Sequence, residues 1–482
     1  MLHEIWYYIT LFYESVIFIY CVIIFCFYAL LAVLSLVSIR RHFRRNSFKT
    51  SNTLVESPLM PGISVIAPAF NEAATITCNA RSLLSLNYPR FEVILVNDGS
   101  NDNTLQILID QFELIEISFA YHAQLPSMPV KRFYKSMNPA YARLLVLDKE
   151  NGKCKADAVN AGINAAAYTH FLNTDVDCIL HRDTLLKLAQ PFVDEEKRVI
   201  ATGATLRMAN SCLVNEGHIA EMRVPSELLP RFQEIEYTRS YILGKMGWTF
   251  YNAVSNVSGG LGLFDKEIAI KAGGYDSKSF AEDMDIVVRM SKFMYQHNWP
   301  YAIRYIPETL CWTEGPATLR VFGRQRARWG RGLLQLFITH RNVLLNPHFG
   351  KMGLFMFPYV FLFELLAPVI EFTGMLYLLY HIFFSTVNWP FAVILLVFVY
   401  VYSVFITTLA LLWDQLTFSH YRSWRAVTGL CLTAFAEPFV YHPLSLFFTI
   451  KGYLQHIAGK KHQWGNMQRR GFKQGSAVAM SH

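Results

Sequence analysis

Apolar positions fall into two regimes along this chain. Residues 5–38 are apolar except for Glu14, a longer run than the roughly 20 helical residues that cross a bilayer. No small-residue cleavage site follows it, so residues 1–45 read as a retained anchor. The anchor ends in Arg40-Arg41-His42-Phe43-Arg44-Arg45. Basic residues beside a span favour the inner side, so the next domain is expected in the cytosol. The stretch 46–60 is rich in Ser, Thr, Asn and Pro and reads as a linker.

Three more apolar runs cover roughly 352–384, 388–413 and 426–450, which predicts an α-helical transmembrane bundle over 350–458. The first holds Glu364, Pro368 and Glu371; the last holds Glu437-Pro438 and His442-Pro443. Glu364 and Glu371 are seven apart, on one helix face. Carboxylates at that depth face a polar interior, where they either pair with an Arg or His or line a path for a sugar chain. Three full crossings would put the tail 459–482 outside. That tail carries Lys460, Lys461, Arg469, Arg470 and Lys473, which suit the cytosol. The expectation is that the last run does not cross, its prolines breaking it into two half-helices.

Between these regimes the period changes. Ile63-Ser64-Val65-Ile66-Ala67 is a β-rich run that Pro68 is expected to stop. Residues 91–96, 144–147 and 170–173 follow the same form, with helical patterns at 73–86 and 155–168 between them. Strands alternating with helices predict a parallel, Rossmann-like α/β sheet. Ligands bind such sheets beyond the carboxyl ends of the strands, where Glu72, Asp98, Asp175 and Asp177 cluster.

Composition refines this picture. Of 482 residues, 17% are charged, against about 25% in soluble domains, so part of the chain suits membrane. The net charge is +8, and many basic residues, Arg40, Arg41, Arg44 and Arg45 among them, sit beside apolar runs, which argues for membrane lipid as partner and against nucleic acid. The eight cysteines form no CxxC pair, so neither a zinc site nor a disulfide framework is indicated.

The candidate chemistry is acidic and basic. Asp175-Val176-Asp177 follows an apolar strand, and extended residues i and i+2 share one side. Two carboxylates so placed suit a hard divalent cation. Asp98, in Asn97-Asp98-Gly99-Ser100, sits in a turn between strand and helix, where a carboxylate can accept from a nucleobase or ribose. Glu282-Asp283 begins a helix, either answering its dipole or serving as a base at a cleft mouth. Residues 320–345 alternate apolar and basic at helical spacing. Gln325, Arg328 and Trp329 share one face there, suited to a diphosphate and a sugar ring, while other faces suit a membrane surface.

Six motifs in order resemble the processive family 2 glycosyltransferases: Pro68-Ala69-Phe70-Asn71-Glu72, Asn97-Asp98-Gly99-Ser100, Lys153-Cys154-Lys155-Ala156-Asp157, Asp175-Val176-Asp177, Glu282-Asp283 and Gln325-Arg326-Ala327-Arg328-Trp329. The chain looks most similar to the bacterial poly-N-acetylglucosamine synthase branch, with cellulose and hyaluronan synthases more distant. The likeness is close over roughly 60–345 and looser beyond.

That resemblance implies a GT-A domain over 60–318, interface helices over 319–346, and an inverting transfer from a UDP-sugar to a glycan acceptor. It further implies that Phe70, Glu72, Asp98 and Lys155 meet the nucleotide, and that Asp177 with Asp175 holds Mg2+ or Mn2+ on the diphosphate. Asp283 would be the base and Arg328 would steady the leaving UDP. Ser258, Gly259, Glu282, Gln325 and Trp329 would face the acceptor. Phe70 stands where relatives often carry Tyr, which keeps the ring and loses a hydroxyl contact.

The branch implies a bacterial inner membrane location, N-acetylglucosamine as the donor sugar, and export of a polysaccharide. A bundle of only three or four helices also leaves room for small membrane or periplasmic partner subunits. Transfer of one sugar to a lipid-linked acceptor is the second reading, and an inactive scaffold of a secretion complex a distant third.

Overall fold

The first apolar run folds as one helix, α1 (Leu2–Asn46). The computed structural model describes residues 2–46, 57–215, 217–384, 387–421 and 423–460. Most of the expected linker, and the tail beyond 460, lie outside the described residues. After α1 come β1 (Ile63–Ala69), α2 (Ile76–Leu84), β2 (Phe91–Asn97), α3 (Thr104–Phe112), β3 (Leu114–Ile117), β4 (Val130–Ser136) and β5 (Leu144–Lys149). Then follow α4 (Lys155–Ala165), β6 (His170–Thr174), β7 (Ile179–Leu180), α5 (Thr184–Asp194), β8 (Arg198–Met208), β9 (Leu213–Asn215) and β10 (His218–Glu221). The chain continues through α6 (Leu228–Arg239), α7 (Met246–Tyr251), β11 (Leu261–Asp265), α8 (Lys266–Lys271), α9 (Glu282–Gln296) and β12 (Tyr301–Thr313). The remaining helices are α10 (Leu319–Thr339), α11 (Phe357–Val360), α12 (Ala367–Phe384), α13 (Trp389–Phe418) and α14 (Trp424–Ile457).

The large sheet has the order β3-β4-β5-β2-β1-β6-β11-β8-β12-β7. Its centre, β5-β2-β1-β6, is parallel. Every residue of β1 is buried, as expected for a strand covered on both faces. Around this parallel centre the sheet is mixed: β11 runs antiparallel to both β6 and β8. The reason is connection. After β8 the chain leaves at the carboxyl edge, builds α6 and α7 there, and re-enters from that same edge without crossing over. Leu261, the first residue of β11, therefore pairs with Thr174, the last of β6.

Pro68 does not stop β1. Pairing with β2 runs on to Ala69↔Asn97, whereas pairing with β6 ends at Ile66↔Asn173. From there on, one side of β1 is an edge, where a residue without an N–H is tolerated.

Three helical stretches among the described residues are long and apolar enough to cross a membrane: Thr10–Arg45, Met352–Phe384 and Trp389–Phe418. The expected break of the last run is absent, because α14 passes through Pro438 and Pro443 as one helix. Neighbouring helices hold it on both sides of Pro438. Glu437 pairs with Arg239 of α6 at 2.8 Å, and the Tyr441 hydroxyl donates to Glu236 at 2.7 Å. Such packing offsets the hydrogen bond that a proline removes.

The two carboxylates of the first C-terminal run part company. Glu371 pairs with His442 of α14 at 2.7 Å, whereas Glu364 faces a cavity.

Helices α10 and α14 meet almost backbone to backbone. A Cβ on Gly452 would lie 2.3 Å from the Ala327 carbonyl oxygen, and one on Gly330 would lie 2.7 Å from that of Thr449. Small residues permit this approach. Overfilling a packed contact costs about 1–3 kcal/mol. Gly452→Leu is therefore expected to lower the melting temperature of the purified protein by several degrees. Gly429→Leu on the same helix, where a Cβ meets nothing within 4 Å, should leave it unchanged. Equal melting of the two variants would contradict the packing argument.

Candidate active site

The carboxyl edge of the sheet opens into one cavity of about 1790 Å3. Phe70 and Glu72 reach it from the end of β1, and Lys155 from the start of α4. Asp175 and Asp177 follow β6, and Ser258 and Gly259 precede β11. Glu282 and Asp283 open α9, and Gln325, Arg328 and Trp329 lie on α10. Twelve of the thirteen residues expected from the sequence thus line one space. Asp98 does not.

Asp98 is fully buried. Its Oδ1 accepts from Lys149 Nζ at 2.5 Å and from the Gly152 N–H at 3.0 Å, while Oδ2 has no partner. Burial pushes this carboxyl above the usual aspartate value, and Lys149 pulls it back. Lys149 also pairs with Asp157 at 2.8 Å. Asp98 therefore ties the turn after β2 to the turn after β5. Gly99, at φ +63°, brings those turns together, since a Cβ there would lie 2.8 Å from the Asn151 nitrogen.

The acidic pair at the end of β6 has the geometry of a cation site. Ligand atoms of Asp175, Asp177 and Cys178 lie within 4.8 Å of one another. The Asp175 side chain is 37% exposed and therefore reachable. Two carboxylates opening onto the cavity fit a hard divalent ion that keeps positions free for phosphate.

Lys155 Nζ sits 2.5 Å from Asp175 Oδ1 and donates to the Gly259 carbonyl at 2.6 Å. Burial disfavours this ammonium, yet Asp175 and Glu282 outweigh burial and hold its pKa above the ordinary lysine value.

The short loop before β11 joins the two acidic centres. Ser258 has φ +110°, a strained value for a non-glycine residue of the kind found at functional sites. A Cβ on Gly260 would lie 3.8 Å from Asp175 Oδ2, and one on Gly259 would lie 3.6 Å from Asp283 Oδ2. Asp175 and Asp283 thus flank one Gly-Gly step.

Asp283 sits in the first turn of α9, where its Oδ1 accepts from the Met284 N–H at 3.0 Å. Burial raises Glu282 above the usual carboxylate value, with Arg328 opposing and Asp283 adding to the rise. Arg328 stands 4.0 Å from Glu282.

Helix α10 also holds the loop in front of α9. Gln335 accepts from the Phe280 N–H and donates to the Lys278 carbonyl, both at 2.9 Å. Gln325 accepts from Gln233 at 3.2 Å.

Arg326 is a residue that reading the sequence missed. Its guanidinium lies 4.5 Å from the Trp329 ring centroid and is bonded to Glu236 and Tyr441. It thereby fixes the tryptophan against α6 and α14. The available signal was an arginine at helical spacing from Phe322 and Gly330, and its partners lie far away in sequence.

Comparison with known proteins agrees with this geometry. The profile of Glycosyl transferase family group 2 matches residues 170–414, and that of Glycosyl transferase family 2 matches residues 64–120. A poly-beta-1,6-N-acetyl-D-glucosamine synthase of Staphylococcus aureus (strain COL) is 26% identical over 312 residues, covering 64% of this chain and 62% of its own. The synthase of the same name from Staphylococcus epidermidis is 26% identical over 314 residues, covering 65% and 63%. The chain therefore matches less than two thirds of the length of these relatives. Among solved structures, a mannosyltransferase from Pyrobaculum calidifontis in complex with GDP-Man and Mn2+ has the same fold. It superposes with a TM-score of 0.54 at 18% identity, over 89% of this chain and 100% of its own.

Asp175→Asn and Asp177→Asn are each expected to weaken Mn2+ binding by at least about 10–100-fold, the scale on which even outer partners of metal ligands act. Cys178→Ser should retain binding, because a hard cation takes oxygen ligands. Electron paramagnetic resonance of Mn2+ titrated into the purified protein together with a nucleoside diphosphate reads both. Undiminished binding in the Asp variants would place the cation elsewhere.

Proposed function

The chain belongs to Glycosyl transferase family group 2, and from that membership we propose that it is an inverting, UDP-sugar-dependent hexosyltransferase that lengthens a β-linked polysaccharide and exports it. N-acetylglucosamine is the proposed donor sugar, in keeping with the name of the relatives. The observation that carries the reading is the Gly259-Gly260 step with Asp175 on one side and Asp283 on the other. That proximity supports reading one carboxylate as part of a diphosphate centre and the other as a base, as a single displacement requires.

In this reading the donor's diphosphate lies against Asp175 and Asp177, where a bound Mg2+ or Mn2+ would neutralise its charge. Phe70 and Glu72 take the nucleoside end. Asp98, behind the cavity wall, contributes through the turn it braces. Lys155 exchanges one anion for another, turning from Asp175 toward the phosphates.

The acceptor sugar rests on Trp329, with Gln325, Glu282 and the 258–259 loop around it. Its hydroxyl oxygen attacks the anomeric carbon as Asp283 takes the hydroxyl proton. The bond from that carbon to the UDP oxygen breaks on the opposite face, which inverts the centre. Arg328 meets the charge left on the departing UDP.

The cavity exceeds the 300–1,000 Å3 typical of small-molecule sites and reaches Glu364 and Pro368 in the second candidate span. That favours a chain acceptor over a single sugar. The basic end of α1 supports a multi-pass protein of the bacterial inner membrane with its catalytic domain in the cytosol.

Asp283→Asn is expected to keep UDP and Mn2+ binding while lowering UDP release from UDP-N-acetylglucosamine by about 10²–10⁴-fold, the usual contribution of a positioned base. Turnover near that of the parent protein would remove Asp283 from the base role. A panel of UDP-sugars run with product sizing tests the donor and the polymer at once.

A further inference from the structure

The first turn of α9 carries acids on two sides. Glu282 and Asp283 line the cavity. Asp285 lies about 200° around the helix from Asp283, at about 100° per residue, and is buried, only 4% exposed. There it meets His340, which closes α10 and is likewise 4% exposed.

His340 Nε2 and Asp285 Oδ1 are 2.6 Å apart. An ionised carboxylate only accepts, so Nε2 bears the proton and donates. Nδ1, on the other side of the ring, then accepts from Lys292 Nζ of α9, 3.4 Å away. Asp285 Oδ2 has no hydrogen-bond partner, with Arg289 3.8 Å from it. Among the described residues, the one hydrogen bond to the Asp285 side chain therefore comes from the end of another helix.

Cohesion does not require this pair. An apolar pair of similar volume usually holds two helices as well or better, and Met284 and Val288 of α9 already share a core cluster with Leu336 and Phe337 of α10. Apolar contact is non-directional, whereas a short charged hydrogen bond has a direction. The other polar and close contacts act on the approach to α9. Gln335 bonds to the backbone of Lys278 and Phe280, and a Cβ on Gly332 would lie 2.8 Å from that of Ala281. Asp285 is inside the helix, so its bond to His340 sets the rotation of α9 about its own axis. That rotation decides where Asp283, two residues earlier, points.

We propose that Asp285 and His340 are positioning residues: through their hydrogen bond the end of α10 fixes the rotation of α9 and so aims the Asp283 carboxylate at the acceptor hydroxyl. This rests on the reading of Asp283 as the base. The same helix then holds Trp329 and aims the base, which keeps the acceptor's platform and its proton acceptor in one frame.

The test follows UDP release by the full-length protein in detergent, with the best donor of the UDP-sugar panel. Turnover is expressed per molecule able to bind UDP, which removes partial unfolding from the comparison. His340→Ala is expected to lower kcat about 10–100-fold, the scale of a small misplacement of a reacting group, and to leave KM for the donor unchanged. His340→Gln, whose amide can still donate to Asp285, should recover most of that loss. The double variant Asp285→Leu/His340→Leu should melt no lower than the parent protein and still show the loss in kcat. In an Asp283→Asn background there is no base left to aim, so adding His340→Ala should cost nothing further. An equal loss in both backgrounds makes the pair structural and overturns the proposal, as does parent-like kcat in the double variant. Parent-like turnover of Asp283→Asn alone removes the base reading, and the positioning role with it.

Discussion

The backbone contact between α10 and α14 is the constraint on which the site depends. Helix α10 carries Gln325, Arg328 and Trp329, and its Gln335 holds the loop that delivers Glu282 and Asp283. On the proposed reading, the groups that meet the acceptor are thus largely carried or held by one helix. That helix is placed by Gly330 and Gly452, which let it lie against α14, and by Arg326, which joins it to Glu236 and Tyr441. The groups proposed to meet the donor are mounted on the parallel strands instead. Transfer requires the two mounts to agree, and the 258–260 loop is where they touch.

Buried ion pairs fix the relation between the helical region and the sheet. Arg207 of β8 reaches Glu234 of α6 and Asp414 of α13, and Arg239 of α6 reaches Glu437 of α14. Such pairs add little net stability over apolar packing, yet removing one partner strands a buried charge. They specify register. One alignment of α6 against α13 and α14 satisfies both arginines, and a shifted one leaves charges unmatched.

Much of this was legible in the sequence. Asp175-Val176-Asp177 lies directly beyond a strand, Asp283 in the first turn of a helix, and Gln325, Arg328 and Trp329 on one helical face, because local period decides each placement. The rest depended on distant partners. Arg326 and Glu236 are 90 residues apart, and Arg207 and Asp414 are 207 apart, which no local pattern reveals. Local rules also failed where tertiary packing overrode them. Pro68 continues a strand because the neighbour on its other side has ended, and Pro438 and Pro443 stay within a helix that others clamp. Asp98 was read as facing a ligand from its turn sequence, and Lys149, arriving from the next strand, took its Oδ1 inward.

The ion pair of Lys155 with Asp175 has a consequence for the order of events. An ammonium already compensates the more exposed of the two aspartates, so the pair neither repels itself apart nor attracts a bare cation strongly. A cation that arrives together with a diphosphate brings Lys155 a replacement anion, and the exchange is then nearly balanced. On the proposed reading, nucleotide and metal enter as one species and leave as one. Between turnovers the lysine keeps the site in shape for the next donor.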